Sequence, residues 1–104
     1  MSGMIRFIVL YDPPADPESF DRHYREVHIP LVRKLPGLVR YTISRGMTPV
    51  QGDRPTHLIA ELDFPDMTAM QEAFRSPAGQ AAAADVAEMA GEGVHSSIFE
   101  VEEV

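Results

Sequence analysis

The chain contains no cysteine. Disulfides, thiolate nucleophiles and cysteine metal sites are therefore excluded, and a thiol-free chain suits the cytosol. Cations are also scarce. Lys and Arg number 9 against 16 Asp and Glu, the formal charge is -7, and Lys34 is the one lysine among dispersed arginines. Phosphate recognition needs clustered cations, so no nucleic-acid partner is expected. Acidity of this size mainly keeps a protein in solution. No run of about 18 apolar residues occurs, so no membrane partner is expected either. Met1-Ser2-Gly3-Met4 enters a short apolar run without a basic flank or cleavage site, which argues against a secretory signal. A cytoplasmic location is the resulting expectation. No Gly-rich fingerprint follows a strand and opens a helix, and no GxSxG elbow is present. No nucleotide cofactor is expected.

What is present is a chain of 104 residues, 44 % hydrophobic, with a mean hydropathy of -0.15. That is the size of one domain, residues 1–104, with one core of two layers. Met4 to Tyr11 reads as a strand with Arg6 its only charge. Asp16-Pro17 is an N-cap and first-turn pair, and the helix it opens is expected to run to about Leu35, kinked at Pro30. Its apolar stripe is Phe20, Tyr24, Val27, Leu31 and Leu35. After the Leu35-Pro36-Gly37 turn, Leu38 to Met47 and Pro55 to Phe64 read as two strands. Asp66 caps a further helix with Met70, Ala73 and Phe74 as core contacts. Ser76-Pro77 breaks it, it resumes from Gln80 to Ala90, and Gly91 and Gly93 stop it. Val94 to Val101 is the last strand. The order βαββαβ predicts an α+β, ferredoxin-like fold, a four-stranded antiparallel sheet with its helices on one face.

Such a sheet has a second, uncovered face. Strands of about nine residues give it roughly 550 Å², near the upper end of what monomers expose. If apolar, covering it would contribute on the order of 14 kcal/mol before the costs of association. A second copy packed sheet to sheet is the simplest cover, so a homodimer is expected.

His28 is the first candidate for chemistry. It sits on the shoulder of the apolar stripe, two residues before Pro30, where partial burial would bring a base near neutrality; the plain alternative is a histidine bonded to a backbone carbonyl. Tyr41 and Tyr11 end up on strands, where a tyrosine is more often core than ligand contact. His57 opens the third strand on the face of Glu61 and Asp63. His23 and His95 read as solvated. Asp85, the one charge in the run Ala83-Ala84-Asp85-Val86-Ala87, is expected to pair with an arginine, and Arg40 and Arg45 on opposite strand faces cannot form one anion clamp. His23 and His28 are five apart, not the four that puts two metal ligands on one helical face, so no metal site is expected.

The blocks FDRHYREVHIPLVRKLPGLVRY at Phe20–Tyr41, Glu61-Leu62-Asp63-Phe64 and AFRSPAGQAAAADVAEMA at Ala73–Ala90 resemble the EthD family, named for ethyl tert-butyl ether degradation. The most specific part is Tyr-x-x-x-His-x-Pro-Leu at Tyr24–Leu31. The resemblance runs from Met4 to about Val101 and implies a dimeric α/β barrel, two sheets packed together with a pocket between each sheet and its helices. It also implies a small, apolar, oxygen-bearing organic ligand. Cofactor-independent isomerase or cyclase chemistry, or an oxidoreductase, is one implied activity. By similarity to the superfamily's lactone isomerases, His28 and Tyr41 would be the acid-base and hydrogen-bonding residues; Tyr11, Tyr24 and His57 are the candidate substrate contacts, the start of the His57 strand being commonly variable in the family. The alternatives are a non-catalytic accessory protein of a monooxygenase and, ranked below it, a haem-binding protein.

Overall fold

A computed structural model describes residues 3–104; the first two residues of the N-terminal segment, Met1 and Ser2, lie outside the described residues. Strand β1 (Ile5–Tyr11) is followed by helix α1 (Pro17–His23), a π-helical turn (Tyr24–His28) and the short helix α2 (Ile29–Val32). Strands β2 (Arg40–Ile43) and β3 (Leu58–Phe64), helices α3 (Met67–Arg75) and α4 (Pro77–Ala90), and strand β4 (Val94–Glu100) complete the chain. All pairings are antiparallel, in the order β2-β3-β1-β4. This is the ferredoxin-like arrangement, and the two central strands are the first and third in sequence.

Local chemistry sets the boundaries. The Asp16 side chain accepts the Ser19 N–H at 3.2 Å, and Pro17 fills the first turn where no donor is needed. Asp66 does the same for α3 through Ala69 at 2.8 Å. Ser76 closes α3 and opens α4, accepting the Gly79 N–H on its Oγ at 3.1 Å, ahead of Pro77. Gly91, at φ 56°, ends α4. Strand β2 is shorter than its pattern suggests because Ser44 Oγ accepts the Ile59 N–H at 2.9 Å and ends the ladder with a side chain.

The first helix departs from the expected form. Pro30 does not kink a continuous helix; the ladder changes one turn earlier, where Ile29 N–H bonds Tyr24 C=O, five residues back. Pro30 has no N–H to offer the Glu26 carbonyl and its ring crowds that position, which a wider turn relieves. The consequence is angular. Twelve residues of straight α-helix would leave Val32 about 120° around from Phe20, and one inserted residue takes back about 100° of that. The buried row is accordingly Phe20, Tyr24, His28, Val32 and Leu35, whereas Val27 is turned out to 41 % exposure and Leu31 is half-buried. The predicted stripe was right at both ends and wrong in the middle.

The helices cover one face of the sheet. That face carries Ile5, Val9 and Tyr11 of β1 and Leu58, Ala60, Leu62 and Phe64 of β3, all buried. The alternation puts Arg6, Ile8 and Leu10, Ile59, Glu61 and Asp63, Arg40 and Thr42 on the other face. That open face is mixed rather than apolar, so the gross gain from covering it is smaller than an all-apolar face would give. Arg6 holds Asp63 in a bidentate pair at 2.8 and 3.1 Å across the two central strands. Among the described residues no helix is long and apolar enough to cross a membrane.

Candidate functional site

A cavity of about 270 Å³ lies between the covered sheet face and the helices. Its walls are almost wholly apolar, with Phe7, Val9, Ala60 and Leu62 below and Val32, Phe74 and Ala82 above. The polar groups that reach it are His28, Tyr11, Tyr24 and Tyr41. The π turn supplies His28 and Tyr24, whose rings stand 5.0 Å apart. Without the inserted residue His28 would sit on the shoulder of the helix rather than on its inner face.

His28 is 3 % exposed and makes one side-chain hydrogen bond, from Nδ1–H to Asp85 Oδ2 at 2.9 Å. An ionised carboxylate only accepts, so Nδ1 carries the proton and Nε2 carries a lone pair. Nε2 has no partner among the described residues, and none of their fully enclosed side-chain nitrogens or oxygens lacks one; Nε2 is therefore open to the cavity. Burial holds the imidazole below its ordinary 6.5, and the Asp85 hydrogen bond and charge only partly oppose this. At neutral pH the ring is a neutral base facing an apolar space.

Asp85 does not pair with an arginine. Its second oxygen, Oδ1, accepts Nε2–H of His23 at 2.8 Å. The five-residue spacing that seemed to separate the two histidines would place them about 140° apart on an α-helix, and the π turn reduces this to about 40°. His23 thus joins the site from which a purely α-helical reading removed it. The two imidazoles meet on a carboxylate, and no group of three or more metal-ligating side chains able to hold an ion occurs among the described residues.

Tyr24, beside His28, and Tyr41, on β2, share a hydroxyl–hydroxyl bond of 2.7 Å. Burial pushes both phenols up, and the bond raises Tyr24 further while lowering Tyr41. Either hydroxyl can donate in this bond, and the one that accepts keeps its own hydrogen for another acceptor. Tyr11 is 1 % exposed, also raised by burial, and packs edge-on against Tyr24 at 5.8 Å.

His57 is placed elsewhere. It precedes β3, and instead of following Glu61 and Asp63 to the open face it turns to the helix side, where Nε2 meets Asp21 Oδ1 at 2.8 Å and its ring stands edge-on to Phe20 at 5.4 Å. It lines a second, open groove of about 520 Å³ with Asp21, Arg25, Arg45 and Thr56, and Tyr24 borders both spaces. His95 bonds Arg54 at 2.8 Å on the surface, away from either.

The EthD domain model matches residues 12–93. This chain belongs to the EthD family. A Rhodococcus erythropolis protein described as an uncharacterized 11.0 kDa protein in the thcB-thcC intergenic region is 40 % identical over 92 residues, 88 % of each chain. The crystal structure of an EthD family protein from Bacillus halodurans C-125 superposes with a TM-score of 0.89 at 33 % identity, over 95 % of this chain and 99 % of that one. At the level of fold alone, SnoaB, a cofactor-independent oxygenase from Streptomyces nogalater, gives a TM-score of 0.71 at 16 % identity over 99 % and 97 % of the two chains. Other structures of this fold, at 18–19 % identity, are described as dimeric.

Proposed function

We propose that this EthD protein binds a small, mostly apolar organic molecule bearing a carbonyl or hydroxyl in the His28 cavity and moves a proton on it. The observation that carries the reading is the Asp85-held, neutral His28 with its free Nε2 facing an apolar cavity across from the Tyr41 hydroxyl. Nε2 would take a proton from a carbon or hydroxyl made acidic by a neighbouring carbonyl, Tyr41 would donate to the oxygen where charge develops, and Asp85 would stabilise the imidazolium that forms. Tyr11 and Tyr24 would wall the apolar part of the ligand. A polar end would extend past Tyr24 into the groove of His57 and Arg25. The chemistry fits an isomerisation, a cyclisation or a cofactor-independent oxygenation; the SnoaB likeness supports the last by fold analogy only. Dimeric relatives of this fold and the uncovered sheet face support a homodimer.

The test uses 2-tetralone, an apolar bicyclic ketone with acidic α-hydrogens. NMR in D2O follows deuterium entry at the carbon next to the carbonyl, against the buffer rate. The parent protein is expected to accelerate exchange, and His28→Ala to lose about 10²–10⁴-fold of that acceleration while remaining folded by circular dichroism. Exchange at the parental rate in His28→Ala refutes the base assignment. Saturable binding without any exchange favours the second reading, a non-catalytic accessory protein of a monooxygenase, which the apolar cavity serves equally well.

A further inference from the structure

His23 has no part in the proton transfer described above, yet it is bonded to the group that orients the base. Asp85 is 8 % exposed, and each carboxylate oxygen takes one imidazole N–H, His23 at 2.8 Å and His28 at 2.9 Å. The terminal carboxylate torsion of an aspartate is intrinsically broad. Two donors on opposite sides fix it, whereas one does not. His28 is almost fully enclosed, and the His23 side chain is 35 % exposed. The shared carboxylate therefore joins a solvent-facing ring to a cavity-facing one, and the π turn is what sets both rings on the side of α4.

We propose that His23 is a positioning residue: by clamping Asp85 from the solvent side it holds His28 as the Nδ1–H form, with the Nε2 lone pair in the cavity, and makes the basicity of His28 depend on whether His23 is charged. The proposal rests on the reading of His28 as the base. A protonated His23 competes for the Asp85 charge and lowers His28's affinity for a proton; a neutral His23 releases that charge to His28. No other titratable group facing His28 can replace this effect. Tyr24 beside it and Tyr11 and Tyr41 across the cavity are held neutral by burial. Arg25 and Arg33 act on Tyr24 and Tyr41 respectively. Among the described residues Asp85 is the one acid bonded to either ring.

The test needs no substrate. The ring nitrogens of the 15N-labelled full chain are followed by long-range 1H–15N spectra between about pH 5 and 8.5, the range in which imidazoles titrate. Two variants separate the two halves of the proposal, since His23→Gln still offers an N–H but cannot charge, and His23→Ala offers neither. In the parent, His28 is expected as the Nδ1–H form. In His23→Gln that form persists and the His28 midpoint rises by on the order of half to one pH unit, as expected for losing a like charge across a partly exposed site. In His23→Ala the His28 signals show a mixture of both neutral forms. Parental form and midpoint retained in both variants overturn the positioning proposal and leave the base reading standing. A parent His28 protonated at Nε2 overturns both together.

Discussion

Replacing Tyr41 by Phe removes one oxygen and leaves Tyr24, 1 % exposed, with a hydroxyl that has lost the hydrogen-bond partner it had at 2.7 Å. An unsatisfied buried donor costs about 1–3 kcal/mol. Because Tyr24 is sealed in, Tyr41→Phe should cost about 2 kcal/mol. The reciprocal change, Tyr24→Phe, leaves Tyr41 half-buried at the cavity, where water can reach it, and should cost about 1 kcal/mol or less. With both rings as Phe no polar group is stranded, so the double variant should lie within about 1 kcal/mol of the parent, giving a coupling near 2 kcal/mol. Urea unfolding at pH 7 measures all four proteins, and for a domain of this size about 2 kcal/mol corresponds to a fall of roughly 8–16 °C in Tm. Additive losses, or a Tyr24→Phe variant less stable than Tyr41→Phe, would refute the reasoning that the sealed-in Tyr24 hydroxyl depends on Tyr41 for its hydrogen bond.

Three further outcomes are expected. Gly79→Ala should lose about 1–3 kcal/mol in urea, because a Cβ there would lie 2.2 Å from the Ala73 carbonyl oxygen and 2.6 Å from that of Phe74, both backbone atoms that cannot step aside. His28 is lowered from 6.5 on folding, so the unfolded chain binds its proton first; unfolding free energy should be insensitive to this group above about pH 7 and should fall as pH drops through 6.5 toward the folded value, with a slope of at most about 1.4 kcal/mol per pH unit. In His28→Gln that component of the pH dependence should vanish. On the open sheet face, Ile8→Glu adds a charge beside Glu61, its neighbour across the β1–β3 pairing; analytical ultracentrifugation should show a dimer for the parent and a monomer for the variant.

The fold was legible because its signals are local. Asp16-Pro17, Asp66 and Ser76-Pro77 carry their caps in the sequence, and alternation along Leu58–Phe64 assigned the two sheet faces. His28 and Tyr41 could be singled out, but the network around them could not. A scan for a period of 3.6 residues cannot register an inserted residue, so it favoured Val27 and Leu31 over His28 and Val32. A signal was nevertheless present: Phe20, Tyr24, His28 and Val32 are spaced by fours throughout, a pattern that drifts on an α-helix and stays in line only when one residue is added. The Asp85 partners depend on how α4 docks against α1, some sixty positions away in the chain (62 for His23), and no local pattern reports that. His57 misled because the strand pleat was begun at Pro55, three residues before its true start at Leu58.

The inserted residue also explains why this helix holds a site rather than only a core. A straight helix would turn Val27 toward the sheet, and burying a valine contributes about 1.5–3 kcal/mol at no polar cost. The π turn puts an imidazole on that inner face instead and exposes Val27. Taken alone the exchange is unfavourable, since a titratable ring loses water and its basicity falls. It becomes tolerable because Asp85 meets the ring, and Asp85 in turn tolerates burial because both its oxygens are bonded. Proline at position 30 biases the choice by withholding the donor that would continue the α ladder from Glu26. Local geometry, packing and polar satisfaction therefore agree on one arrangement only when the three residues His23, His28 and Asp85 are counted together, and a rule broken for stability at one point is where a protein most often does its work.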